Sequence, residues 1–194
     1  SGSTDAGILL WDADRCKLSN LDVRSNGKYG IFTQYSEYVI IAYVNTHSNG
    51  AQGIALGLCP SHSIISGVNA YSNGGLGGIT VYDGPTNVTI KNCNAYSNTG
   101  EGIILGWTTD GVVSHCKAWS NLGGTGILLE ASSYSTVEDC ISTSNGNGIG
   151  ISVFGYNTIR NCWSSNNVGS GFYIGSAYSC TIENCVSSSN GEGI

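Results

Sequence analysis

The stretch SNTGEGIILGWTTDGVVSHCKAWSN, residues 97 to 121, carries the chain from one Ser-Asn pair to the next, and the rest of the sequence is a set of variations on it. Aligning its Gly102-Ile103 pair with its counterparts places glycines at 7, 30, 53, 78, 102, 126, 148, 171 and 193. The intervals are 23, 23, 25, 24, 24, 22, 23 and 22 residues. A period of this size is that of a solenoid, in which each coil contacts mainly its neighbours. Chemistry in such a chain must be sought in columns of residues that recur coil after coil.

Within the quoted coil two short strands and two turns are legible. Alternation along the first strand sends Ile103 and Leu105 inward and Ile104 outward. The same inward positions read Ile8, Ile31, Ile54, Ile79, Ile103, Ile127, Ile149, Phe172 and Leu10, Thr33, Leu56, Val81, Leu105, Leu129, Ile151, Ile174. A third inward ladder, from the second strand, reads Leu18, Ile41, Ile65, Ile90, Val113, Val137, Ile159, Ile182. Asn26, Asn49, Asn73, Asn98, Asn121, Asn145, Asn167 and Asn190 share one position. There an amide can bond the turn backbone and the next coil while tolerating left-handed dihedrals.

Together the Gly-Ile strands and the Asn column resemble the right-handed parallel β-helix of the pectate-lyase-like superfamily, over the full chain. The resemblance implies an all-β, right-handed, single-stranded parallel β-helix of about eight coils, each 22–25 residues long. It implies no single activity, because that fold hosts lyases, hydrolases, epimerases, adhesins and phage fibres.

Composition agrees with strands and tight turns: 29 glycines, two prolines, no methionine and 10% charged residues among 194. The net charge of −6 and the scatter of only seven Lys and Arg give no basic track for nucleic acid or an anionic membrane. The longest apolar run, Val39 to Val44, is too short to insert in a bilayer. One domain is expected over 1–194. Residues 3–8 and 189–194 fall at the same phase of the repeat, and no polar cap is visible at either end. The expectation is an open-ended piece, either a segment of a longer solenoid or a subunit that stacks on its own kind.

Five of eight cysteines, Cys93, Cys116, Cys140, Cys162 and Cys185, continue a column begun by Leu21, Val44 and Val68. A metal or redox array is the sharper reading, but zinc needs converging ligands, and a column repeats along a line at about 4.8 Å per rung. Adjacent-rung disulfides fit the Cα window, yet side chains that point the same way do not all pair. Buried free thiols are expected, with no metal and no cofactor.

Two outward columns invite function. Arg24, His47, Tyr71, Tyr96, Trp119, Thr143, Ser165 and Ser188 present four consecutive His or aromatic rings. These can stack on sugars, form an interface, or merely stabilise the sheet. Leu9, Phe32, Ala55, Thr80, Ile104, Leu128, Gly150 and Tyr173 form a strip too apolar to be simply solvated, with Tyr82 and Trp107 at its following edge. It is expected to pack laterally on another molecule or to be covered from within the chain.

Carboxylates are sparse. Asp83, Asp110 and Glu130 come from turns or strand ends on three successive coils, and Asp83 and Glu130 lie two rungs, about 9.6 Å, apart. That spacing suits an inverting glycosidase, and solvated turn residues are the plain alternative. The resemblance brings no catalytic motif with it: there is no Asn-Thr-Asp with a following Asp-Asp and Gly-His-Gly, and few cations exist to stabilise a uronate enolate. His115 with Asp139, and Glu138 with Arg160 and Glu183, read as structural pairs.

Two functions follow. The first is an extracellular or cell-surface structural or adhesive module that self-associates, head to tail or laterally. The alternative is a carbohydrate-active enzyme, a polysaccharide hydrolase (a glycoside hydrolase) or lyase-like, or its glycan-binding β-helix part. It would use His47, Tyr71, Tyr96, Trp119, Tyr82 and Trp107 to bind polysaccharide and Asp83, Asp110 and Glu130 for acid and base work.

Overall fold

The computed structural model describes residues 6–58 and 60–192. Cys59, residues 3–5 of the first repeat phrase and Gly193-Ile194 of the last lie outside the described residues. Every strand pairing is parallel. One sheet of eight strands contains Ile8–Trp11, Ile31–Gln34, Ile54–Gly57, Gly77–Val81, Glu101–Gly106, Thr125–Glu130, Asn147–Gly155 and Phe172–Tyr178, stacked in chain order. We call it the Gly-Ile sheet. The remaining 14 strands form a second, bent sheet. In its first two coils one long strand, Lys17–Arg24 and then Ile40–His47, serves both limbs. From the third coil onward that strand is divided, as in Ile64–Ser66 and Asn69–Tyr71.

The register is the one the repeat predicts. Ile103 aligns with Ile79 and Ile127, Leu105 with Val81 and Leu129, and Val113 with Ile90 and Val137. All of these are fully buried, so each rung adds about three aliphatic side chains to one continuous core. The cysteine column completes it: Cys93, Cys116, Cys140 and Cys162 are buried, and all seven described cysteines are free thiols. The Cys116 amide donates to the Cys140 sulfur at 3.4 Å, and the Cys116 thiol donates to the Ser114 carbonyl at 3.2 Å. Thiols fit here because a small, weakly polar group can accept an otherwise orphaned corner N–H without a large desolvation cost.

The asparagine column is a continuous hydrogen-bonded ladder. Asn98 donates from its backbone N–H and from Nδ2 to Asn121 Oδ1, both at 3.0 Å, and Asn121 repeats this to Asn145 at 2.9 and 3.0 Å. The second Nδ2 proton reaches back to the previous rung, as from Asn121 to the Ala95 carbonyl at 3.0 Å. The left-handed residue at this turn is not the asparagine but the one before it: Ser25, Ser48, Ser72, Ser97, Ser120, Ser144, Asn166 and Ser189 have φ of 53–57°. That residue turns the chain and so aims the following Asn side chain inward.

Each coil has four such corners. The first includes Asp83 and Trp107, the second His62, Asn87, Asp110 and Tyr134, the third Gly67 and His115, and the fourth is the Ser column. From second to third corner, and from third to fourth, the spacing is five residues in every coil, as in Asp110, His115 and Ser120. A left-handed non-glycine residue costs about 1 kcal/mol or more in isolation. Here corner amides bond carbonyls of the next rung, as from Asp110 to Ser133 at 3.2 Å and from Ser97 to Trp119 at 3.1 Å, which offsets that cost.

Candidate functional site

The outer surface of the Gly-Ile sheet is where the sequence leaves polar groups that the core does not use. Its apolar strip is largely covered from within the chain: Phe32, Ala55, Thr80 and Ile104 are each at most 5% exposed. Tyr29 stacks on Phe32 at 4.5 Å between ring centroids. The Tyr82 ring folds back over the previous rung, where a Cβ on Gly57 would lie 2.8 Å from Tyr82 Cε2, so only glycine admits it. Leu9 and Tyr173, at the two ends of the strip, remain more than 40% exposed.

This cover contains a carboxylate that the sequence reading passed over. Glu101 precedes the Gly102-Ile103 pair and aligns with Gly77, while Glu130 ends the next strand and aligns with Gly106. Between them run Ile104 and Leu128, which are paired in register. Burial raises the Glu101 carboxyl above its ordinary value, its own backbone N–H opposes this, and the nearby Glu130 charge raises it further. Burial, then Tyr29 and Asp83, pushes the Tyr82 hydroxyl up to about 12. The Thr80 hydroxyl, beneath this cover, is buried with no hydrogen-bond partner. Glu101 and Glu130 stand towards opposite ends of adjacent strands, and a partly desolvated acid that feels the field of a second carboxylate is the kind of pair whose proton affinities are driven apart.

The three carboxylates expected from the sequence are only partly brought together. Asp83 sits at the first corner with φ 70°, next to Tyr82, and Glu130 ends its strand just before that corner. Asp110 lies one corner further on, in the column of Asn87 and Tyr134, and so faces away from the Gly-Ile sheet. Trp107 stands at the first corner, 52% exposed. None of the eight strands contains Lys or Arg. Among the described residues no group of three His, Cys, Asp or Glu side chains converges as a metal ion requires.

The aromatic column on the second sheet forms a continuous stack. His47 and Tyr71 lie 4.5 Å apart, Tyr71 and Tyr96 4.9 Å, and Tyr96 and Trp119 4.4 Å, all within 10° of parallel. Burial and the neighbouring Tyr71 raise the Tyr96 hydroxyl. Because the rings face each other, the stack presents edges to solvent. His47 is anchored at its end by Asp22, with Nε2 3.3 Å from the carboxylate. Arg160 Nε donates to Glu138 at 2.9 Å, and His115 lies 3.8 Å from Asp139, the surface pairings the register predicts.

Unrolling the position before each Gly-Ile pair exposes the missing signal. It reads Ala6, Tyr29, Gln52, Gly77, Glu101, Thr125, Asn147, Ser170 and Glu192, so both Tyr29 and Glu101 fall in it.

The profile of the family described as right-handed β-helix region matches residues 6–151 and 86–194, and the chain belongs to that family. No curated protein matches the sequence. Among solved structures, the chain is similar to a periplasmic alginate epimerase, AlgG, with a TM-score of 0.73 at 14% identity, covering 89% of this chain and 49% of that one. It is similar to pectate lyase Pel9A, with a TM-score of 0.72 at 21% identity over 84% of this chain and 46% of the lyase. It is also similar to the enzymatically active domain of bacteriophage CBA120 tailspike protein 2, with a TM-score of 0.62 at 13% identity over 93% and 39%. The chain thus spans half or less of the length of these neighbours, and at such identities the likeness is one of fold: a pectate-lyase-like, right-handed parallel β-helix.

Proposed function

We propose that this chain is the carbohydrate-active β-helix part of a polysaccharide-acting protein that works outside the cytoplasm, with the uncovered parts of the Gly-Ile sheet's outer face, around Glu101, Glu130 and Trp107, as its glycan site. The observation that carries the reading is Glu101, half buried, raised by that burial and by Glu130. In this role Glu101 protonates the glycosidic oxygen as the bond to the anomeric carbon breaks. Glu130, with Asp83 beside Tyr82, supplies the opposing carboxylate that activates water or meets the developing positive charge. Tyr82 and Trp107 flank the sugar. A face with Glu101 and Glu130 and no Lys or Arg on its strands suits a neutral glycan better than a polyuronate, whose enolate would need cations.

The structural and adhesive reading rests on missing motifs and on bare apolar columns, and the strip that suggested lateral packing is mostly covered by the chain itself. The likeness to a pectate lyase and to a periplasmic alginate epimerase also favours the carbohydrate reading and its extracytoplasmic placement. The test is release of reducing ends from a panel of neutral polysaccharides. Glu101→Gln and Glu130→Gln are expected to lower the rate about 100-fold or more, with Asp83→Asn losing less. Unchanged rates in both glutamine variants would remove the assignment.

A further inference from the structure

The second corner carries an aromatic column with a gap in it. Arg15 lies over the Tyr38 ring at 5.6 Å, and Tyr38 stacks on His62 at 4.8 Å and 9°. Two short polar residues follow, Asn87 and Asp110, and then Tyr134 stacks on Tyr156 at 5.0 Å and 3°. These positions share one column: Thr86, Thr109 and Ser133, the residues just before, pair rung to rung in parallel, and the Asn87 and Asp110 amides bond the Thr109 and Ser133 carbonyls. Among the described residues His62 has no ring partner but Tyr38, and Tyr134 none but Tyr156. The face of each that looks into the gap is therefore uncovered by any ring. The Asn87 amide and Asp110 carboxylate on the floor are exposed and make no side-chain hydrogen bond or ion pair within the described residues.

The dimensions select a ligand. His62 and Tyr134 are three rungs apart, roughly 14 Å. A single flat base sandwiched between both rings would need them about 7–8 Å apart, two contacts of about 4 Å. A unit stacked on Tyr134 alone lies about 4 Å from that ring, nearly level with Asp110 one rung away at about 4.8 Å. Its equatorial hydroxyls then lie in the plane of the carboxylate, and a unit stacked on His62 has its hydroxyls level with the Asn87 amide. The Asp and Asn side chains are shorter than the rings, so the outer part of each aromatic face stays reachable. Apolar C–H faces with hydroxyls around the rim describe a pyranose, and Asp110 disfavours phosphates and uronates.

We propose that this notch is a saccharide-binding subsite for neutral pyranose units of an oligosaccharide, one stacked on Tyr134 and bonded to Asp110, another stacked on His62 and bonded to Asn87. It rests on the carbohydrate reading of the chain but not on catalysis at Glu101, since Asp110 lies one corner away from the Gly-Ile sheet.

Calorimetric titration with cellohexaose, maltohexaose and chitohexaose, together with NMR of the His62 imidazole, tests it. At least one sugar is expected to bind and to shift the His62 ring signals. Tyr134→Ala and Asp110→Ala are expected to weaken that binding at least tenfold, and Tyr134→Phe to retain most of it, with far-UV circular dichroism confirming the fold. Absence of binding by all three sugars overturns the assignment. So does binding that leaves His62 unmoved, or that is indifferent to Tyr134→Ala and Asp110→Ala. Binding at the notch without any hydrolysis leaves the subsite standing and removes the catalytic reading alone.

Discussion

Two columns of aromatic residues run along this solenoid, and they differ in one respect. On the second sheet His47, Tyr71, Tyr96 and Trp119 follow one another without a break, each ring within 4.9 Å of the next. At the second corner the pairs Tyr38–His62 and Tyr134–Tyr156 are separated by Asn87 and Asp110. The uninterrupted column spends its inner ring faces on itself, leaving the Trp119 face at its end against Thr143, and acts as a stabilising seam. The interrupted one keeps two faces for something else. In a repeat protein an aromatic column points to binding where it is broken rather than where it is longest, because only a break leaves a π-face without a partner.

The largest expected effect separates the two columns by stability. Tyr96→Ala removes stacking on both sides of a half-buried ring and should cost about 2 kcal/mol. Tyr134→Ala, which removes one stacking contact from a ring 58% exposed, should cost under about 1 kcal/mol by the same urea titration. Equal losses would deny the distinction. Asp110→Tyr sharpens it by partly closing the gap. Tyrosine is tolerated at this left-handed corner, since Tyr38, Tyr134 and Tyr156 hold φ of 55, 53 and 60° in the same column. Stability should stay within about 0.5 kcal/mol while oligosaccharide binding is lost.

The smallest effect concerns pH. Unfolded, Glu101 has the ordinary carboxyl value of about 4.3, and in the fold burial and then Glu130 raise it. The folded state thus binds more protons between the two values, so the associated stability is complete below the unfolded value and is lost as pH rises through the folded one. Glu101→Gln abolishes that dependence. Its stability relative to wild type should increase across this window and level off above it, and a flat difference would show Glu101 to be solvated.

The period of the Gly-Ile pair made the ladders and their register readable before any coordinates, because one misplaced residue would turn an entire strand inside out. Three features were not readable. The recurring asparagine tolerates left-handed dihedrals, yet the left-handed residue is the one before it, a serine in seven of eight coils, and the choice between them depends on which amide meets the next rung. Glu101 was missed because its significance lies in burial by neighbouring coils, which no single coil displays. Asp110 was grouped with Asp83 and Glu130 by rung number, although a corner of three residues places it on another side of the coil.

The constant five-residue spacing between the second, third and fourth corners has a consequence for how such a chain can change. Coil length still varies from 22 to 25 residues, so insertions and deletions are absorbed wholly on the other two sides, the short step from first to second corner and the long run through the Gly-Ile strand. Those are the sides that carry Glu101, Glu130, Trp107 and Thr109. The flank with the asparagine ladder and the thiols acts as a fixed spine, against which the opposite flank can be lengthened or trimmed one rung at a time. Loop grafts placed between Trp107 and Asp110 should therefore be accommodated, whereas a single added residue between Asp110 and Ser120 would put that coil's Cys116 or Asn121 out of step with the rungs on either side.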